Sequence, residues 1–181
     1  MNAQTDIEYY PKLLHKTLAK FDDKQVLLNE LVLSEKLTRQ ILVGKYFTLF
    51  SKEPASFIKF IYVGRVNTCR SGGCSINRGL SGDKGSEFFD YFILFDSTYT
   101  IRQVQIFNYQ ATHGQEVTAK NWLKQFVGYS GKSALTVGKD VDAISGATIS
   151  VDAIAFDIEH KTGLLKQFGG LNTTYTTSNR Q

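Results

Sequence analysis

The chain has 181 residues, of which 42% are hydrophobic, and a chain of this length can bury the core of one domain. Its 21 basic and 17 acidic residues give a net charge of +4 and are spread along the sequence, so the basic cluster typical of a nucleic-acid-binding surface is missing. No apolar run approaches the roughly 20 residues that a membrane-spanning helix needs, so no span is expected.

Residues 1–42 predict an N-terminal element of helix and strand that packs on the rest of the domain. Leu13, Leu14, Thr17, Leu18 and Phe21 recur at spacings of three and four, as the apolar stripe of a helix does. Residues 26–33 predict a strand or a short buried segment. A short helix is predicted from residue 34 to about residue 42.

Four later segments are rich in aromatic and β-branched residues and predict strands: Lys45–Ser51, Phe57–Val66, Phe88–Phe95 and Ile101–Tyr109. The last two are separated by a loop of hairpin length, residues 96–100. In the last segment neither alternating set of side chains is purely apolar. This pattern predicts a sheet that is packed on both faces.

Two helices are predicted after the strands. The first covers Val117 to Gly128, with Trp122 and Phe126 on its apolar face, and the second covers Ile149 to Phe168. Residues 43–170 would then be a single domain, and the polar residues 171–181 a flexible tail. The fold class predicted is α+β: a mainly antiparallel sheet packed with helices.

The two cysteines, Cys69 and Cys74, lie in one glycine-containing loop, separated by four residues. This spacing is not that of a zinc ribbon, and no further ligands are near, so no metal site is expected. In an oxidising compartment the two would form a local disulfide, either structural or redox-active. Arg65 and Arg70 beside them are candidates to hold a phosphate or an acidic partner.

The segment Asp142-Ala143-Ile144-Ser145-Gly146-Ala147-Thr148 leads into the last predicted helix. Small residues leave the backbone accessible where the free N–H groups and the positive end of a helix dipole favour a phosphate. Thr148 would offer a hydroxyl there, and Asp142 could hold a metal or polarise that hydroxyl. The simpler alternative is that Ser145 or Thr148 only caps the helix.

Every position of this segment resembles the flavinylation motif, Asp-x-x-Ser/Thr-Gly-Ala-Thr/Ser, of the FMN-binding domain family. That family includes the covalent-flavin subunits of the sodium-pumping NADH:quinone oxidoreductase and of the Rnf complex. The resemblance implies the FMN-binding domain fold. It also implies that a flavin transferase, as a partner, attaches FMN by a phosphoester to Thr148, with Asp142, Ser145, Gly146 and Ala147 as the rest of the site.

A second segment, Thr112-His113-Gly114-Gln115-Glu116-Val117, leaves a strand and opens a helix. On local chemistry alone, Thr112 would cap that helix and Glu116 would satisfy the cap or the dipole. The segment also resembles the part of the family that lies against the flavin. The resemblance implies that His113, Gly114, Glu116 and Val117 border the isoalloxazine ring, and that Lys132 is an anion partner.

The predicted function is that of an electron carrier with covalent FMN, which exchanges electrons with a redox protein partner in a membrane-associated complex. Two alternatives stay open. One is an FMN-dependent reductase that uses His113 or Tyr109 as a proton donor, and the other is an interaction domain without flavin. The first residues lack the hydrophobic core of a signal peptide. The resemblance nevertheless favours export to the periplasmic side, with the signal removed.

Overall fold

The computed structural model describes residues 6–21, 26–32, 43–51, 57–70 and 86–178, without the side chains of 26, 51, 69, 70, 86 and 170–178. Five strands lie within these ranges: β1 (Val26–Glu30), β2 (Gly44–Ser51), β3 (Phe60–Arg70), β4 (Ser86–Phe95) and β5 (Ile101–Tyr109). The α-helices described are α1 (Lys12–Leu18), α2 (Lys120–Leu123) and α3 (Thr148–Ser178).

The five strands form one antiparallel sheet in which each strand pairs with the next along the chain, in the order β1-β2-β3-β4-β5. The β4–β5 hairpin lies where the sequence predicts it, and β5 has the predicted bounds. The α+β fold class with a mainly antiparallel sheet is confirmed.

The sheet carries a hydrophobic core on each face. Side chains alternate along β4, so Tyr91 and Ile93 pack in the cluster that contains α3, while Phe92 and Leu94 pack in the cluster that contains α1. Thr17 of α1 also donates a hydrogen bond across to the β5 side chain of Gln105, over 3.3 Å. The prediction of a sheet packed on both faces is therefore confirmed.

For residues 26–33 the strand alternative is confirmed: β1 is an edge strand, and Leu27 is 72% exposed. Another predicted element differs in the structure. The single helix predicted over residues 117–128 is instead a 3₁₀ turn (Gln115–Thr118), α2, and a second 3₁₀ turn (Lys124–Phe126). The extended backbone of Ala119, with ψ at 123°, interrupts the helix. The helix predicted near residues 34–42 lies outside the described residues.

The helix α3 is 31 residues long and its backbone extends ten residues beyond the predicted end at Phe168. Gly169 lies inside the helix, at a position where the ring of Tyr99 leaves no space for a side chain. A Cβ there would overlap the Tyr99 hydroxyl oxygen. This glycine therefore allows close packing and does not end the helix. None of the helices in the described part of the chain is long and apolar enough to cross a membrane.

The loop between β4 and β5 is organised by the carboxylate of Asp96. Its Oδ1 accepts hydrogen bonds from the backbone N–H groups of Thr98 (2.8 Å) and Thr100 (3.0 Å), and its Oδ2 accepts two from the Arg102 guanidinium. Burial alone would raise the pKa of Asp96, but the hydrogen bond of 2.7 Å from the Thr98 hydroxyl to Oδ1, together with those from the two N–H groups and Arg102, outweighs it and holds the pKa below its usual value.

Because the folded state lowers the pKa of Asp96, the stabilisation is present above the unfolded pKa of about 3.9 and is lost as the pH falls through the folded pKa. We expect Asp96→Asn to lower the free energy of unfolding by about 1–3 kcal/mol at pH 7, since it removes the charge that Arg102 pairs with. Urea unfolding at pH 7 and near pH 3 checks this. An equal difference at both pH values would contradict it.

Candidate functional site

The segment that enters α3 is anchored through its backbone to α2 and the 3₁₀ turn after it. The indole Nε1–H of Trp122 donates to the carbonyl oxygen of Asp142 (2.9 Å), and the backbone N–H of Asp142 donates to Oε1 of Gln125 (2.8 Å). Val141 is buried just before this point, while the Asp142 side chain is exposed. The start of the segment is therefore fixed, and its carboxylate faces solvent.

A tight turn then leads into the helix. The N–H of Ala147 bonds the carbonyl of Ile144 (3.1 Å), and the N–H of Val151 bonds the carbonyl of Ala147 (2.9 Å), which opens α3. Gly146 has a φ of +81°, a conformation that favours glycine, and a Cβ there would meet no atom within 4 Å. The backbone of this turn is thus open to an approaching group, while buried Ala147 holds the turn to the core.

Thr148 is the first residue of α3 and is exposed, as are Ser145 and Gly146. Among the residues that the structure describes, neither hydroxyl of this turn, Ser145 or Thr148, takes part in a side-chain hydrogen bond that would cap the helix. A hydroxyl at the positive end of a long helix, beside an open backbone, suits a phosphate ester. The arrangement fits a flavin phosphate at Thr148.

The second predicted segment meets the first turn of α3. Gly114 is buried with a φ of +84°, and a Cβ at this position would lie 2.6 Å from Oγ of Ser150. The hydroxyl of Tyr109, at the end of β5, donates to the carbonyl oxygen of His113 (2.5 Å) and lies 3.4 Å from the same Ser150 oxygen. The structure therefore brings the loop at His113 to the turn of α3 that begins with Thr148.

The residues that follow divide into a buried and an exposed set. Val117 is buried in the same cluster as Ala147 and Val151, while His113 and Glu116 are exposed. Val117 therefore packs the second segment onto the first, and two polar side chains stay available to a ligand.

Thr112 does not cap a helix, contrary to the local prediction. Gly114 is the residue before the 3₁₀ turn, and no side chain caps it. Both the N–H and the hydroxyl of Thr112 instead donate to Oε1 of Glu87 on β4, and Thr112 Oγ1 lies 2.9 Å from Nδ1 of His113. Sequence spacing alone does not point to Glu87, because its position relative to Thr112 depends on the β4–β5 pairing.

The electrostatics of this region centre on Tyr109. Burial raises the pKa of the Tyr109 hydroxyl, the hydrogen bond with Ser150 lowers it, and the carboxylates of Glu87 and Glu116 raise it further. The net shift is upward, so Tyr109 is protonated at neutral pH and remains the donor to His113. The ring stacks on Phe89, with centroids 5.6 Å apart.

Lys132 lines a separate cleft of about 440 Å³ against the middle of α3, with Tyr129, Phe156 and His160 among its other walls. Phe156 is eight residues beyond Thr148, or about 12 Å along the helix axis. Burial and the carboxylate of Glu159 raise the pKa of Tyr129 in this cleft to about 12. Lys132 is exposed, and its role as an anion partner stays a prediction.

Arg65 is not available to a phosphate, because it is buried in a two-point ion pair with Asp90, with Nε to Oδ1 at 2.6 Å and Nη2 to Oδ2 at 3.0 Å. The side chain of Cys69 and all of Cys74 lie outside the described part of the chain, so the predicted disulfide stays a prediction. Within that part, no three His, Cys, Asp or Glu residues are grouped to hold a metal ion.

Comparison with known proteins gives one family. The model of the FMN-binding domain matches residues 86–156, which span β4, β5, the loop at His113 and the first turns of α3. No curated protein matches the chain. The match contains the whole Asp142–Thr148 segment and the loop that packs on it. The chain therefore contains a match to the FMN-binding domain over residues 86–156, and this match supports FMN as the cofactor.

Proposed function

We propose that the protein carries FMN attached by a phosphoester to the hydroxyl of Thr148 and that it transfers electrons as a flavoprotein. The observation that carries this proposal is the position of Thr148: an exposed hydroxyl on the first residue of a 31-residue helix, next to the open backbone of Gly146. An ester at this point would place the phosphate at the positive end of the helix dipole.

The attachment itself would be made by a flavin transferase, which must reach the segment it modifies. Asp142, Ser145, Gly146 and Thr148 are exposed, whereas Val141 and Ala147 are buried. A fixed backbone with outward polar side chains is a surface that a modifying enzyme can recognise without unfolding the domain. Asp142 is then the charged residue that the transferase would recognise.

The proposed role is that of a carrier because covalent attachment keeps the flavin on the protein through repeated reduction and oxidation. The isoalloxazine ring would lie beside His113, Gly114, Glu116 and Val117, where the backbone N–H groups of the 3₁₀ turn could stabilise negative charge on the reduced ring. Electrons would come from a redox protein partner in a membrane-associated complex. We further propose an exported, periplasmic location for the mature protein.

The proposal predicts a loss of covalent flavin when the hydroxyl is removed. Co-expressed with a flavin transferase, the wild-type protein should give a flavin-fluorescent band on a denaturing gel, and Thr148→Val should give none. Thr148→Ser should keep the band because the hydroxyl remains. Thr136→Val is the matched control, since it removes an exposed threonine hydroxyl outside the Asp142–Thr148 segment and should leave fluorescence within about twofold of wild type.

Fluorescence that persists in Thr148→Val would show that another residue holds the flavin. Reversible FMN binding to the purified protein, without a covalent band in the wild type, would favour the alternative of an FMN-dependent reductase. The Tyr109 hydroxyl already donates to His113, so His113 is the stronger candidate for a proton donor in that case.

A further inference from the structure

Three polar side chains at the edge of the FMN-binding site form a continuous hydrogen-bond chain. Thr112 donates both its N–H and its hydroxyl to Oε1 of Glu87, and its Oγ1 lies 2.9 Å from Nδ1 of His113. Glu87 belongs to β4, while the other two residues follow β5, so the pairing of β4 with β5 brings the three side chains together. All three residues lie within the matched domain.

The number of available hydrogens determines which atom donates and which accepts in this hydrogen-bond chain. A threonine hydroxyl has one hydrogen, and here that hydrogen goes to the Glu87 carboxylate, which can only accept. The lone pairs of Thr112 Oγ1 are then the partner of His113, so Nδ1 must carry the proton. In a neutral imidazole this leaves Nε2 without a hydrogen, as an acceptor and a base.

The charged and titratable groups that face His113 come from three elements. Glu87 lies on β4 and accepts a hydrogen bond from Thr112, and Glu116 lies in the adjoining 3₁₀ turn. Tyr109 at the end of β5 donates to the His113 carbonyl and is itself influenced by both carboxylates. The side chain of His113 is exposed, so its ring can exchange protons with solvent.

We propose that Glu87 and Thr112 are positioning residues that hold His113 with a bare Nε2, and that this nitrogen takes up a proton when the bound flavin is reduced. The inference rests on the proposed function. A redox protein partner would supply the electron pair to the flavin, which with one proton of its own from solvent would carry a single negative charge. A proton from solvent forms an Nε2–H bond, the neutral ring becomes an imidazolium, and the reverse occurs on reoxidation. The added positive charge offsets the negative charge of reduction.

The first part of the test needs no flavin. Long-range ¹H–¹⁵N spectra of the unmodified protein, recorded where histidine is neutral, should show His113 protonated at Nδ1. Thr112→Val should remove this preference, and Thr112→Ser should restore it. Thr118→Val is the matched control, because it removes a hydroxyl that bonds Gln115 in the adjoining turn. If neutral His113 of the wild-type protein carries its proton at Nε2, the proposed positioning by Glu87 and Thr112 is overturned.

The second part measures the midpoint potential of the flavin-loaded protein against pH, with dithionite as reductant. One extra proton for two electrons adds about 30 mV per pH unit to the slope. We expect His113→Gln to lose this increment, because no imidazole remains, and Thr118→Val to keep it. Loaded protein with the same slope in wild type and His113→Gln would overturn the proton uptake.

The two proposals fail in different ways. If a transferase that is active on another substrate adds no flavin to the wild-type protein, the proposed function fails and the proton uptake fails with it. The spectra of the unmodified protein still decide whether Glu87 and Thr112 set the tautomer of His113.

Discussion

Asp157→Ala should lower the free energy of unfolding by about 3–5 kcal/mol, because it leaves a buried charge without a partner. Asp157 Oδ1 lies 3.1 Å from Nζ of Lys161, whose side chain is 1% exposed, and Asp157 Oδ2 accepts a hydrogen bond of 2.5 Å from the buried Tyr91 hydroxyl. The Lys161 ammonium also lies 5.7 Å from the centre of the Tyr62 ring. One carboxylate therefore satisfies two buried groups.

The measurement is urea unfolding, with Glu30→Gln as the control. Glu30 and Lys45 form an ion pair of 2.8 Å whose side chains are about half exposed, so its loss should cost at most about 1 kcal/mol. Combining Asp157→Leu with Lys161→Met and Tyr91→Phe should recover much of the stability, since neither an unpaired charge nor a buried hydroxyl without an acceptor remains. Equal losses for Asp157→Ala and Glu30→Gln would contradict this account of the buried pair.

The same region makes stability sensitive to alkaline pH. Burial, and then the charge of Asp157, raise the pKa values of Tyr46, Tyr62 and Tyr91 well above 10.0. A raised folded pKa means that the stabilisation is complete below the unfolded pKa of about 10 and is lost as the pH rises beyond it. The protein should therefore unfold at lower urea concentration above that pH.

Gly114→Ala should have the second large effect, on stability and on FMN binding together. Its φ of +84° strains any other residue, and the new Cβ would lie 2.6 Å from Oγ of Ser150. The loop at His113 must then move away from the first turn of α3. We expect a loss of about 2–4 kcal/mol in the free energy of unfolding, from strain and overpacking combined.

Gly138→Ala separates the cost of backbone strain from the cost of overpacking. Gly138 has nearly the same φ, +85°, but a Cβ there would meet no atom within 4 Å, so only backbone strain of about 1 kcal/mol is expected. Urea unfolding gives the stabilities, and flavin incorporation during co-expression gives the effect on the site. Incorporation should fall at least tenfold in Gly114→Ala and stay near wild type in Gly138→Ala. Similar behaviour of the two variants would contradict the packing described.

The sequence predicts the β4–β5 hairpin and the start of α3 because both follow from local rules. Alternating aromatic residues specify paired strands, and a small-residue turn before an apolar periodic run specifies a helix entry. The helix predicted over residues 117–128 was wrong, because apolar spacing at Trp122 and Phe126 does not reveal the extended backbone at Ala119. Local pattern identifies which residues are buried more reliably than it identifies the backbone between them.

The contacts of the site depend on tertiary structure and could not be read from spacing. Gly114 packs closely on Ser150, and the two residues belong to different segments. The hydrogen bond from Thr112 to Glu87 connects the end of β5 to β4. Arg65 shows the opposite case: its sequence context suggests a free cation, but strand register places it opposite Asp90. Only the assembled sheet shows that Arg65 is part of the core.

Attachment of FMN at Thr148 is tested by the intact mass of the protein after co-expression with a flavin transferase, followed by fragmentation of the peptide that contains residues 142–150. We expect a gain equal to FMN minus one water, located on Thr148 and absent from Thr148→Val. A gain located on another residue would contradict it. So would an unmodified mass when the same transferase modifies a second substrate.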